Sequence, residues 1–401
     1  MNPVRKLYCR IYQKVFRALL PLLPYKEPHL LTSLSQVPQV LAAEHAQKPL
    51  IVTDANLNKL GLVKLLTQEL SDAHIRYALF SDTQPNPTIT NVEAARELYL
   101  KEGCDSLIAF GGGSPMDCAK ACGARIACPH KSVLNMKGIL KVRKRIPLLI
   151  AIPTTAGTGS ETTLAAVITD EKTHRKYPIN DFPLIPAYAV LDARVTEGLP
   201  PHVTAITGLD ALVHATEAYI GKSTTQKTRA WAIEAVKLIK DNLLEAYHDG
   251  HNMQARAHML KAAFLAGKAF SQSYVGYIHG IAHSLGGAYG IAHGLANAVV
   301  APYVLTAYGK GATKKLARLA RAAHVVPKGL TNAETAQRYI AWFTSLNKQM
   351  DIPRHLQEIK KEDILSMAEA ADKESNPLYP VPRLMDKHEL ADLYYEVAGL
   401  N

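Results

Sequence analysis

Residues 106–120 read SLIAFGGGSPMDCAK, and the change of character along this stretch decides the fold. Residues 106–110 form a short apolar run of the kind that makes a buried strand. Three glycines, a serine, a proline and a helical pattern follow. Glycines 111–113 let backbone approach an anion closely, Ser114 suits a helix cap, and Pro115 suits the first helical turn. The free N–H groups and positive dipole end of such a helix favour a pyrophosphate. The third glycine of GxGxxG is missing, so a tight strand-to-helix turn without a ligand is the competing reading.

Working outward, LIVTD (50–54), IRYALF (75–80) and PLLIAIP (147–153) read as further strands. LNKLGLVKLLTQEL (57–70) and NVEAARELYLKEG (91–103) carry apolar residues at helical spacing. Strands alternating with helices imply a mostly parallel sheet covered on both faces. Between residues 202 and 301 there is no proline, and alanine, leucine, lysine and glutamate dominate. A long stretch without that helix breaker points to an all-helical half, with Pro200 and Pro201 at the boundary. The expected fold is an α/β N-terminal domain with a Rossmann-like parallel sheet, followed by an all-α C-terminal domain. The expected divisions are residues 1–30, 31–197 and 198–401, with ligands between the two domains, outside the carboxyl ends of the strands.

At 401 residues, 48% hydrophobic and 20% charged, the chain is neither disordered nor a disulfide scaffold. Five cysteines, an odd and small number, suit a reducing, cytoplasmic compartment. Cys118 and Cys122 share a helical face near Cys128, but without a second CxxC-like pair they read as small buried residues rather than zinc ligands. The net charge of +11 is concentrated in two places. Residues 1–26 contain Arg5, Lys6, Arg10, Lys14, Arg17 and Lys26 and no acid, with Val4, Leu7, Ile11, Val15, Phe16 and Leu19 at helical spacing. This basic amphipathic helix is expected to pack against the protein's own body, in preference to a membrane surface; a transit peptide has a similar composition. The second concentration, KGILKVRKRIP (137–147), reads as a solvated loop. With no zinc-finger spacing, RNP-like motif or aromatic interleaving, nucleic acid is not expected as a partner, and no apolar run reaches the roughly eighteen residues needed to span a bilayer.

IPTTAGTGSETT (152–163) follows another strand and adds Thr154, Thr155, Thr158 and Ser160 among glycines, a lining suited to phosphate and ribose. Asp54 ends the first strand of the alternating series, where a carboxylate accepts from a ribose 2′-hydroxyl and repels a 2′-phosphate; NAD is therefore expected over NADP. Asn86, in QPNPT, is a polar turn residue facing the same choice between cofactor contact and plain turn.

GLDALVHATEAY (208–219) places Asp210 and His214 four apart on one helical face. GYIHGIAHSLGGAYGIAHG (276–294) adds His279, His283 and His293 to an otherwise apolar segment. One buried histidine is ordinary, but five such groups in two apolar stretches point to a metal site. Glycines 286, 287 and 290 are expected to break the helix so that His293 starts the next one and turns back toward the ion. Three imidazoles and a carboxylate suit Fe²⁺ or Zn²⁺, with an open position for a substrate oxygen.

Together GGGSPMD, PTTAGTGSE, GLDALVHATEAY and GYIHGIAHSLGGAYGIAHG resemble the iron-containing, group III alcohol dehydrogenases, from about residue 30 to the C-terminus. The resemblance implies an oxidoreductase, commonly a homodimer, with its active site between a dinucleotide-binding domain and a helical metal domain. It implies metal ligation by Asp210, His214, His279 and His293, with His283 close to nicotinamide and substrate as the proton-handling residue. It implies cofactor contacts at Asp54, Asn86, Gly112, Gly113, Ser114, Asp117, Thr154, Thr155, Thr158, Thr163 and Lys176. The implied reaction is NAD-linked interconversion of alcohols with aldehydes or ketones by hydride transfer, a divalent ion polarising the substrate oxygen. The alternatives are a metal enzyme of the same architecture, similar to glycerol dehydrogenase or dehydroquinate synthase, and a membrane-associated relative without catalysis. The basic extension before residue 30 lies outside the family pattern.

Overall fold

In the computed structural model, which describes residues 1–173 and 175–400, the chain divides between Glu197 and Gly198. The expected separate extension is not seen: Met1–Leu23, including helix α1 (Pro3–Leu19), belongs with Gly198–Asn401, and the α/β unit is Pro24–Glu197.

The α/β unit runs β1 (His29–Leu31), α2 (Val37–Ala43), β2 (Pro49–Val52), α3 (Ala55–Lys59), α4 (Val63–Asp72), β3 (Ala78–Phe80), α5 (Ile89–Lys101), β4 (Ser106–Gly111), α6 (Gly113–Ala127), β5 (Gly138–Ile139), β6 (Leu148–Pro153), β7 (Ala165–Asp170), β8 (Arg175–Asn180) and β9 (Tyr188–Val190). Six strands form a parallel sheet in the order β1-β9-β6-β4-β2-β3. Period-two alternation sends each central strand into two cores. Leu50, Val52, Leu107, Ala109, Leu149 and Ala151 pack with Val92, Ala95, Cys118 and Cys122. Ile51, Ile108, Phe110, Ile150 and Ile152 pack with Leu34, Leu41, Leu66 and Leu70 on the other face. A sheet buried on both faces needs such unbroken apolar runs. The cysteines are free and buried, as expected of small core residues.

The sequence reading did not find the second sheet, of order β5-β8-β7, in which β7 and β8 pair antiparallel. The run at 137–147 contributes little β5, and Lys137, Lys141, Arg143, Lys144 and Arg145 are exposed. Asp181 anchors this run by accepting from the Val142 and Arg143 N–H groups.

β2 leads to β3 on one side and β4 leads to β6 on the other, so the connections diverge beyond the carboxyl ends of β2 and β4. This is the switch point where doubly wound sheets take their ligands.

The helical unit continues with α7 (Pro201–Ile220), α8 (Gln226–His248), α9 (Met253–Ser273), α10 (Tyr277–Tyr289), α11 (His293–Ala307), α12 (Lys310–Ala322), α13 (Asn332–Gln349), α14 (Ile364–Ser375) and α15 (Lys387–Ala398). α7 is buried on all sides from Gly208 to Ile220, as a helix apolar all round must be. α10 passes through Gly286 and Gly287 and ends only at Gly290, in the left-handed region at φ +67°, so one glycine rather than three stops the helix.

α1 does pack on its own unit, and it does so by a mainly polar strip rather than by its apolar one. Cys9 and Gln13 are buried. Gln13 Nε2 donates to the Tyr379 carbonyl at 2.7 Å, Arg10 donates to the Val381 and Pro382 carbonyls, and Arg5 forms a two-pronged pair with Asp372 at 2.8 and 2.9 Å. The apolar stripe is left exposed except for Phe16, which is half-buried with its ring edge-on to Tyr274 at 5.0 Å.

Candidate active site

Two consecutive turns of α7 present Asp210 and His214, α10 presents His279, and the first residue of α11 is His293. One ligand atom from each of these four side chains falls within 4.8 Å of all the others. Asp210, His214 and His279 are buried, while the His293 side chain is 39% exposed and opens the cluster on that side. His214 stacks on Phe270 at 4.1 Å and on His279 at 4.5 Å between ring centroids, which fixes its plane.

Glu217, one turn beyond His214 on α7, receives the His279 Nδ1–H on Oε2 at 2.7 Å. The same carboxylate accepts from the Gly276 N–H at 2.8 Å and the Ile278 N–H at 3.0 Å. Only glycine fits at 276, because a Cβ there would stand 2.5 Å from Glu217 Oε1. Burial raises the Glu217 carboxyl to about 7 despite these donors. Burial, reinforced by the neighbouring His214, His293 and His283, holds His279 well below the usual histidine range, so its imidazole is neutral. With Nδ1 committed to Glu217, His279 Nε2 is buried with no hydrogen-bond partner, an aimed lone pair such as a divalent ion requires. Asn297, one turn into α11, donates to Asp210 Oδ1 at 2.7 Å and lies 3.1 Å from His293 Nε2, orienting both. A carboxylate oxygen and three imidazole nitrogens, three of the four residues shielded from water, fit a divalent transition ion.

His283 lies outside this set of four. Its ring stacks on His293 at 5.1 Å, and its Nδ1 meets Glu374 Oε1 at 2.6 Å. Glu374 also accepts from the Tyr379 hydroxyl at 2.6 Å.

In the α/β unit, Gly112 caps α6 and Gly113 begins it. Cβ atoms at these positions would come within 3.3 Å of Thr155 Oγ1 and Thr158 Cγ2 respectively, so the two threonines overhang the glycine turn. Thr154 is buried, and its N–H donates to the Gly111 carbonyl. Ser114 does not cap the helix; its hydroxyl accepts from the N–H of Asn86, which sits at φ +59°. Asp54, directly beyond β2, caps α3 by accepting from the Leu57 N–H. Asp117 and Thr163 already serve the fold: Asp117 accepts from the Ser160 hydroxyl and the Val167 N–H, and Thr163 Oγ1 accepts from Lys120. Lys176 is exposed on β8, opposite Thr169.

The family model for iron-containing alcohol dehydrogenases matches residues 31–193, and that for the C-terminal part of the same family matches 204–398. The chain belongs to the iron-containing alcohol dehydrogenase family. It is 36% identical to the 1,3-propanediol dehydrogenase of Klebsiella pneumoniae over 95% of its own length and 98% of that protein's. It is 38% identical to the NAD-dependent methanol dehydrogenase of Bacillus methanolicus over 83% and 88% of the two chains. Among solved structures, a 1,3-propanediol oxidoreductase superposes with a TM-score of 0.89 at 36% identity, covering 93% of this chain and 99% of that one. The alcohol dehydrogenase from Oenococcus oeni gives the same TM-score at 34% identity, covering 93% and 100%. This chain is thus a metal-dependent alcohol oxidoreductase.

Four supporting residues of the dehydrogenase were missed from sequence. Glu217 and Asn297 left a usable signal, since they fall three and four residues after His214 and His293, on the same helical faces. Glu374 left none, lying 91 residues from its partner. Lys120 ends the opening stretch and reads as a surface lysine, yet it is fully buried. Its ammonium stands 2.6 to 3.0 Å from the Ser160, Thr163 and Ala165 carbonyls and the Ser160 and Thr163 hydroxyls.

Proposed function

We propose that the chain interconverts a small alcohol and its aldehyde or ketone with NAD, using one divalent ion, Fe²⁺ in preference to Zn²⁺, held by Asp210, His214, His279 and His293. The observation that carries this reading is the convergence of four ligand atoms within 4.8 Å around the unpartnered His279 Nε2. When bound, the ion would supply a Lewis acid for the substrate oxygen and NAD a hydride acceptor. Glu217 keeps the proton of His279 on Nδ1, and Asn297 orients Asp210 and His293. His283, with Nδ1 turned to Glu374 and its ring stacked on His293, stands beside the ligand set in position to take the hydroxyl proton and pass it to solvent. The carboxyl ends of β2, β4 and β6 supply the NAD site: Asp54 for ribose, Gly112, Gly113 and Ser114 at the start of α6, and Thr154, Thr155 and Thr158 above the glycines. Asn86, Asp117, Thr163 and Lys176 complete the set, with Asp117 and Thr163 shaping the loops.

The names of the relatives support a small primary alcohol or diol as substrate, and five buried free cysteines support a cytoplasmic setting. A homodimer follows from the family resemblance and is checked by light scattering. The deciding experiment is metal analysis beside NADH absorbance on a panel of primary alcohols, aldehydes and diols. His279→Ala is expected to lose both metal and turnover, and His283→Ala to keep the metal while turnover slows. Full activity after exhaustive chelation would overturn the metal mechanism, and metal loss in His283→Ala would move that residue into the ligand set.

A further inference from the structure

α1 is divided lengthwise into three strips. At 100° per residue, Arg5, Cys9, Phe16 and Gln13 point along one side, where Cys9 and Gln13 are buried and Arg5 and Gln13 make the bonds described above. Leu7, Ala18, Ile11, Val4, Val15, Tyr8, Leu19 and Tyr12 fill the next arc of about 140° with no charged residue between them. Their large side chains are open to solvent, from 38% at Tyr12 to 78% at Val4, and Leu22 just beyond the helix adds another at 78%. Lys14, Arg17 and Lys6 follow on the third strip, all exposed. The first 26 residues contain no carboxylate to neutralise them.

We propose that this face is a docking surface for an anionic phospholipid membrane, with α1 lying in the plane of the interface. The charge pattern selects this occupant. Exposed leucine, isoleucine and valine suit the boundary between headgroups and acyl chains, tyrosines suit the headgroup level, and a basic strip along one edge meets lipid phosphates. A second copy of the chain fits less well. A strip about 25 Å long and 10 Å wide offers roughly 250 Å², well short of the roughly 800 Å² per partner in a stable interface, and antiparallel two-fold pairing of the helix would bring its basic edge against a copy of itself. Because α1 is fixed to its unit by the opposite strip, docking requires no unfolding. Among the described residues no helix is long and apolar enough to cross a bilayer, so the contact is peripheral.

The test is sedimentation of the full-length protein with vesicles of phosphatidylcholine alone and of an equimolar mixture with phosphatidylglycerol. The wild type is expected to pellet with the anionic vesicles. Ile11→Asp/Val15→Asp, which alters only the open arc, is expected to lower partitioning about tenfold or more, and Lys6→Ser, Lys14→Ser and Arg17→Ser about fivefold each. Unchanged circular dichroism and melting of these variants keep the comparison one of surface alone. The proposal is overturned if the wild type stays in the supernatant, if it binds both vesicles equally, or if Ile11→Asp/Val15→Asp binds as the wild type does. It is also overturned if analytical ultracentrifugation shows a self-association that this double variant abolishes while vesicle binding is absent, since the strip would then belong to a second copy.

Discussion

Glu217 shows how much a single carboxylate does beside the proposed metal ligands. It accepts one imidazole N–H and two backbone N–H groups, all buried. Glu217→Ala would leave those donors without acceptors and His279 free to turn. Metal affinity is expected to fall about 10- to 100-fold, measured by competition with a chromogenic chelator, with Glu217→Gln recovering part of it through its one remaining oxygen. An unchanged affinity in Glu217→Ala would mean that packing alone orients His279. The residues that converge on the centre were legible because polar groups in an apolar helix are costly unless they have a task. Glu374 was not, because nothing local announces a contact between α10 and α14.

At the scale of elements, Lys120 is the staple between α6 and the loop that overhangs the glycine turn. Burial lowers its ammonium to about 8, and burial raises the nearby Glu161 carboxyl to about 7. An unfolded glutamate titrates near 4.3, so between about pH 4.3 and 7 the folded chain keeps a proton that the unfolded chain has released. Stability contributed by this site therefore falls as pH rises through that window. Glu161→Gln removes the ionisation. Its unfolding free energy in urea, relative to the wild type, should be higher near pH 8 than near pH 4 by roughly 1–3 kcal/mol. The same difference at both pH values would show that Glu161 stays ionised in the fold. The strands and helices around this staple were readable from periodicity, but the β7–β8 hairpin was not, because its burial alternates on a half-exposed sheet and Pro178 interrupts the strand pattern.

At the scale of the whole molecule, the most sequence-distant packing is that of α1 on the segment around α14 and α15. Asp372 is nearly buried and depends on Arg5 for its charge partner. Arg5→Ala is expected to cost about 1–2 kcal/mol, allowing for the partial exposure of the arginine, seen as a melting temperature lower by about 2–6 °C. Lys6→Ala, on the exposed strip, should leave melting unchanged. A neutral Arg5→Ala would make the pair ornamental and leave α1 held by Gln13 and Arg10.

By itself the sequence determined which segments form the parallel sheet and its covering helices, and which polar side chains are too costly to bury without a task. These are local properties, written in periodicity, in proline and glycine placement, and in the chemistry of single residues. The tertiary structure alone decided what each group touches. It turned the amphipathic α1 apolar side outward, committed Asp117 and Thr163 to the fold, and brought Glu217, Asn297 and Glu374 to the histidines. Those outcomes depend on which surfaces compete for the same neighbour, and that competition is settled only when distant parts of the chain meet.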